Sequence, residues 1–259
     1  MILKHYLKKI FQKTGYTIRK MEAPDEVVYD QDGLRSIHNH DFMNDPKFIH
    51  AYNQASKAES VEKKVHWRMH TLLWTAEYAM NLGEGDFVEC GVYKGFFSTG
   101  AMDYLNWNSK NKSFYLFDTF KGRDYNQLNE EEKISNPQEQ IIQKNLKNLQ
   151  SIEDVYDIAK RNFLPYKNVH IIKGTIPYSL TQAKIDKVSY LSLDLGCAYP
   201  EIEAAKYFWS KMVKGAIAII NSYSYIGYTE QKKVLDKFAK EKGISILSLP
   251  TGQGIYIKP

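Results

Sequence analysis

The chain has 259 residues, 43% hydrophobic and 25% charged, which is ordinary usage for one large α/β domain with a buried core. It contains no apolar run approaching the ~18 residues of a transmembrane helix. Of its net charge of +5, residues 1–20 carry +6 (Lys4, Lys8, Lys9, Lys13, Arg19 and Lys20, with no acid), so residues 21–259 sum to −1, and a near-neutral body argues against nucleic acid as a partner.

At 3.6 residues per turn, Ile2, Leu3, Tyr6, Leu7, Ile10 and Phe11 share one side of an N-terminal helix, and Lys4, His5, Lys8, Lys9, Gln12 and Lys13 share the other. Gly15 is placed to end it. Such a helix over residues 1–20 suits peripheral contact with an anionic membrane surface, each Lys contributing about 1 kcal/mol. The alternative is packing against the domain or against a second subunit, and the many aromatics (19 Tyr, 12 Phe) make a homodimer a further expectation. The segment lacks the uninterrupted apolar stretch of a signal peptide. A cytoplasmic location follows, with Cys90 and Cys197 as reduced, buried thiols.

Residues 21–60 read as a linker with short helices, with turn signals at Pro24, Asp30–Gly33 and Asn44–Pro46 and no identifiable chemistry. From residue 61 to 259 helices and short apolar runs alternate. A helix over Lys63–Asn81 stops at Gly83. Strands are expected at Asp86–Cys90, Ser113–Asp118, Asn168–Lys173, Val188–Asp194 and Gly215–Ile220, and a closing hairpin at Ile244–Leu249 and Gly254–Lys258. Strands of this kind separated by helices form a mostly parallel sheet covered on both faces, with ligands bound outside the strands' carboxyl ends. Residues 122–165 form an insertion above that edge, placed as a lid. Within it Glu130–Glu132 read as a solvated helix face, and Ser151-Ile-Glu-Asp154 as a capping box.

Glu89, Asp118 and Asp194 stand at the carboxyl ends of three of these strands. Acids are costly to bury without partners, so three in register point to a polar cleft. In Glu89-Cys-Gly91-Val-Tyr-Lys-Gly95, between strand and helix, Gly91 lets a ligand approach the backbone and Gly95 lets the chain turn into the helix. The first glycine of a dinucleotide fingerprint is absent, and so is a Walker A loop. Asp118 is placed to accept hydrogen bonds from both hydroxyls of a ribose.

These residues resemble the S-adenosylmethionine motif of class I methyltransferases, and more narrowly the macrocin O-methyltransferase (TylF-type) family, which modifies sugars in antibiotic and polysaccharide pathways. Gly85–Gly95, Phe117–Gly122, Ile172–Gly174, Leu193-Asp194 and Met212–Ile220 match in order, and the resemblance covers about residues 65–259. It implies a Rossmann-like αβα sandwich, with a seven-stranded sheet whose last strand is antiparallel. It also implies bacterial O-methyl transfer to a sugar hydroxyl of a polysaccharide, glycolipid or secondary metabolite. Glu89, Gly91, Tyr93 and Gly95 would meet the methionine end of the cofactor, Asp118 and Thr119 the ribose, and Lys173, Gly174 and Thr175 the adenine. Asp194 would lie beneath the transferred methyl as a ligand of Mg²⁺.

One departure stands out. Where the family carries two adjacent aspartates after the fifth strand, this chain has Asn221 and Ser222, and a hard cation favours carboxylates. The acceptor's proton then needs another base: Asp194, Tyr199 and His70 are the candidates, with His66 and Tyr223 also considered and Arg123 and Asp124 near the acceptor. His170 is expected in the core. The alternative is a binding protein that keeps the cofactor site but has lost catalysis; an NAD-dependent oxidoreductase is disfavoured by the missing glycine.

Overall fold

The computed structural model describes residues 27–59, 63–135 and 154–259. The expected basic helix over residues 1–20, the turn signal at Pro24, Ser151 and the middle of the insertion lie outside these residues. Two compact units are distinguished, residues 1–40 and 41–259. The first contains a small antiparallel hairpin, β1 (Tyr29–Gln31) and β2 (Leu34–Ser36). Asp32 and Gly33 take it around the turn, both at positive φ (53° and 74°), the backbone hairpin turns demand.

The second unit begins with α1 (Pro46–Glu59), opened by Asp45, whose carboxylate accepts the Lys47 amide at 2.9 Å. It continues through α2 (His66–Met80), β3 (Asp86–Cys90), α3 (Phe96–Tyr104), β4 (Phe114–Asp118), α4 (Glu130–Ser135), α5 (Val155–Phe163), β5 (Val169–Lys173) and β6 (Val188–Leu193). It ends with α6 (Ala198–Trp209), β7 (Met212–Ile220), α7 (Thr229–Lys242), β8 (Leu247–Ser248) and β9 (Gly254–Ile257). The sheet order is β5-β4-β3-β6-β7-β9-β8. β3 to β7 pair in parallel, and β9 runs antiparallel to both β7 and β8. The seven expected strands are all present, in the expected mostly parallel sheet.

The central strands are short because they are buried on both faces; every residue of β6 is buried. One layer of core packs α1, α2 and α3 on the sheet through Ala55, Met69, Leu72 and Phe87. The other packs α6 and α7 through Val88, Leu191, Phe208 and Phe238. The compact unit that holds the sheet runs from Asp41, with α1 in its first layer.

Three local expectations change. His170 is exposed on the edge strand β5 and stacks on Tyr115 (ring centres 4.7 Å apart) rather than entering the core. Glu132 is buried, not solvated: its carboxylate accepts the Ala198 amide (2.7 Å) and the Asn129 amide (2.9 Å), tying α4 to the start of α6. The helix expected after Ser151 is capped by Asp154, which accepts the Tyr156 amide at 3.0 Å. Among the described residues no helix is long and apolar enough to cross a membrane.

Candidate active site

Cys90 at the end of β3 pairs with Phe117 of β4 on one side and Leu193 of β6 on the other. That register places Asp118, the last residue of β4, and Asp194, just beyond β6, on either side of Gly91, with Glu89 one residue before the end of β3. The three acids line one cleft of about 410 Å³, within the range of small-molecule sites. The strand ends are stitched together where they leave the sheet. The Gly91 amide donates to Phe117 (2.9 Å), the Asp194 amide to Cys90 (2.8 Å) and the Gly174 amide to Asp118 (2.9 Å).

Gly91 sits at φ +92°, and a β-carbon there would stand 2.1 Å from the Asp194 carbonyl oxygen. Its missing side chain makes room for the neighbouring strand's backbone, and Gly91 also lines the cleft. Gly95 turns the chain into α3 at φ +95°, as expected, and also accepts the Phe163 ring, which a β-carbon would meet at 2.2 Å.

Each acid has different surroundings. Asp118 Oδ2 accepts the amides of Val92 (2.6 Å) and Tyr93 (2.8 Å), and Oδ1 accepts that of Phe120 (2.6 Å), so it organises the glycine loop. A carboxylate has about four acceptor positions, so this leaves about one for a ribose hydroxyl rather than the two expected. Glu89 is buried and accepts the Ser98 hydroxyl at 2.7 Å; burial, with the charges of Asp194 and Asp118 adding to it, pushes its carboxyl up to about 8. Asp194 is half-buried, and burial raises its pKa above the usual carboxylate value, while the cations Arg68, Lys63 and Arg123 oppose that rise. Cys197, which also lines the cleft, has its thiol pushed up by burial and the Glu132 charge, so it is no nucleophile.

Tyr93, Thr119 and Gly174 line the cleft as expected, the Thr119 hydroxyl donating to the Gly122 carbonyl at 2.9 Å. Lys173 lies outside the lining, paired with Asp154 (3.5 Å) and over the Tyr156 ring. Thr175 is also outside it, its carbonyl accepting the Ser179 amide. Sequence reasoning missed Glu59, Lys63, Phe96, Phe97 and Tyr228, all of which line the cleft. Arg123 and Asp124 line it too, Arg123 donating to the Tyr228 hydroxyl at 2.6 Å.

The other proposed bases do not reach it. His70 stacks on Phe42, ring centres 4.0 Å apart, among Phe48 and Trp67, and burial lowers its pKa. His66 stacks on Tyr52 at 4.2 Å. Tyr199 is half exposed on the first turn of α6 and does not line the cleft. The Tyr223 hydroxyl is bonded to Asp236 and accepts from Lys232 (3.1 Å). Of the proposed catalytic groups, Asp194 alone faces the cleft.

The residues present do not fit a divalent cation. Asn221 is fully buried, its Oδ1 accepts from Gln253 (3.0 Å), its Nδ2 donates to Ser192 (3.2 Å), and its carbonyl accepts from Arg68 (2.7 Å). Both amide atoms are committed to protein partners, Ser222 is buried outside the lining, and Asp194 lies among cations. Among the described residues no group of three or more His, Cys, Asp or Glu could hold a metal ion. The expected Asn221 ligand is thereby corrected: its amide closes the fold beneath the cleft.

The profile of the macrocin O-methyltransferase (TylF) family matches residues 64–248. No curated protein sequence matches. Among solved structures, the chain is similar to the O-methyltransferase NovP (TM-score 0.58, 17% identity, covering 74% of this chain and 79% of that one). It is also similar to CalS11, a calicheamicin methyltransferase (TM-score 0.52, 12% identity, covering 85% of this chain and 94% of that one). At these identities the two structures speak for the fold.

Proposed function

The chain belongs to the macrocin O-methyltransferase (TylF) family and is a methyltransferase, and from that premise we propose that its cleft binds S-adenosylmethionine and directs the methyl group to a sugar hydroxyl of a glycan or other small-molecule acceptor. One observation carries this reading: Glu89, Asp118 and Asp194, from three neighbouring strands, open into a single cleft beside the Gly91–Gly95 turn. The sugar acceptor rests on the family's named substrate class.

S-adenosylmethionine supplies an electrophilic methyl group on a sulfonium centre. The residues of this chain hold and orient its parts. Glu89 and the Gly91–Gly95 turn would meet the amino-acid end, Asp118 and Thr119 the ribose, and Gly174 the adenine. Burial raises the Glu89 pKa, and a cation placed beside it draws it down, so a cationic group of the cofactor would favour the ionised form. Asp194 is the group able to take the acceptor's hydroxyl proton as oxygen attacks carbon. It faces the cleft, and its raised pKa makes it a better base than a solvated carboxylate. The charges of Arg68, Lys63 and Arg123 oppose that rise and favour the carboxylate form. Placing acceptor and methyl group in line is the rest of the catalysis, since a held geometry replaces a bimolecular encounter.

Calorimetric titration with S-adenosylhomocysteine, with and without Mg²⁺, tests the reading. Micromolar affinity that is the same in Mg²⁺ and in EDTA is expected. Absence of binding in both would refute the cofactor assignment, and a requirement for Mg²⁺ would show that the cleft gathers a metal site after all.

A further inference from the structure

Two charged side chains of the cleft are paired with each other: Glu59, the last residue of α1, and Lys63, four residues on. Lys63 Nζ lies 2.8 Å from Glu59 Oε1; the Glu59 side chain is 5% exposed and that of Lys63 is 38% exposed. An exposed pair at this spacing is worth little and calls for no supports. This one is fixed on several sides. Tyr52, buried in the core, donates its hydroxyl to the Lys63 carbonyl and accepts the Val65 amide at 3.1 Å. Asn162 of α5 donates to the Ala58 carbonyl, next to Glu59, and to the Lys94 carbonyl of the glycine loop, each at 2.9 Å. Lys63 Nζ also stands 5.0 Å from the centre of the Phe96 ring, the first residue after Gly95. The pair is thus tied to the loop that joins β3 to α3, and both residues line the cleft.

A deeply buried carboxylate beside a half-open ammonium is the charge complement of an α-amino acid zwitterion. We infer that Glu59 and Lys63 form the subsite for the amino-acid tail of the cofactor, Lys63 pairing with its α-carboxylate and Glu59 with its α-ammonium. This rests on the cofactor assigned above. It gives α1, which precedes the region matched by the family profile, a direct part in binding.

The test compares two ligands by calorimetry. S-adenosylhomocysteine carries the amino-acid tail; 5′-methylthioadenosine shares the thioether and adenosine but ends in a methyl group. Lys63→Met, which keeps the stem over Phe96, and Glu59→Gln are each expected to weaken S-adenosylhomocysteine by about ten- to a hundredfold, the range of a charge-assisted hydrogen bond. Methylthioadenosine should stay within about twofold, which also reports that the variants fold. The double variant Glu59→Gln/Lys63→Met leaves no buried charge unpaired and guards against misfolding of either single one. Unchanged S-adenosylhomocysteine affinity, or equal loss of both ligands, would overturn the subsite while leaving the cofactor assignment standing. Failure of the unaltered protein to bind either ligand would overturn both.

Discussion

Three acids at equivalent strand ends share a cleft, but their neighbours separate what they do. Asp118 spends its carboxylate on the amides of Val92, Tyr93 and Phe120, Glu89 is sealed against Ser98, and Asp194 faces the cleft among cations. If Asp194 is the base, Asp194→Asn should lower kcat by ~10²–10⁴-fold, the usual contribution of a positioned base. S-adenosylhomocysteine affinity should barely change. The base must be deprotonated and burial raises its pKa, so kcat should fall as pH drops through a midpoint above the ordinary Asp value of about 3.9. An acid limb that persists unaltered in Asp194→Asn would assign it to another group. The acids were legible because a strand's end is a property of the local sequence. Glu59 and Lys63 were not, because they reach the cleft from a segment that precedes β3. His70 misled for a related reason: helical spacing puts it on one face with His66, and only packing shows that this face turns to Phe42 and Tyr52.

At the scale of elements, the strands were readable from short apolar runs bounded by glycines, and their ends fell within a few residues of expectation. α1 was not. Its packing face is Phe48, Ala51, Tyr52, Ala55 and Ala58, and three of those five are alanines, which bury well but give little hydrophobic contrast. α5 presents its last turn to the glycine loop, Phe163 over Gly95 and Asn162 on the Lys94 carbonyl. Gly95→Ala should therefore cost stability twice, through a left-handed backbone (~1–2 kcal/mol) and through the ring it meets (~1–3 kcal/mol). Phe163→Ala removes the second cost while opening a cavity of its own. Chemical denaturation of both single variants and the double one should show the pair losing less than the sum, by about 1 kcal/mol or more. Simple additivity would mean that the ring moves aside freely and that α5 does not set the loop.

At the scale of the whole molecule, charge is divided between a segment of +6 in residues 1–20 and a remainder of −1. A body of net charge −1 gains nothing from an anionic surface, so any electrostatic attraction to a membrane must come from that segment. Its six cations at about 1 kcal/mol each would add to what its apolar face contributes, and they would be screened as salt rises. Sedimentation with vesicles containing anionic lipid should carry down the full chain, less so with neutral vesicles and less again at high salt. The chain lacking residues 1–20 should stay in solution and still bind S-adenosylhomocysteine, because every residue of the cleft lies in the unit that begins at Asp41. The same truncation distinguishes the competing reading. A segment that packs against a second copy would leave vesicle binding unchanged on removal and would lower the mass measured by light scattering instead.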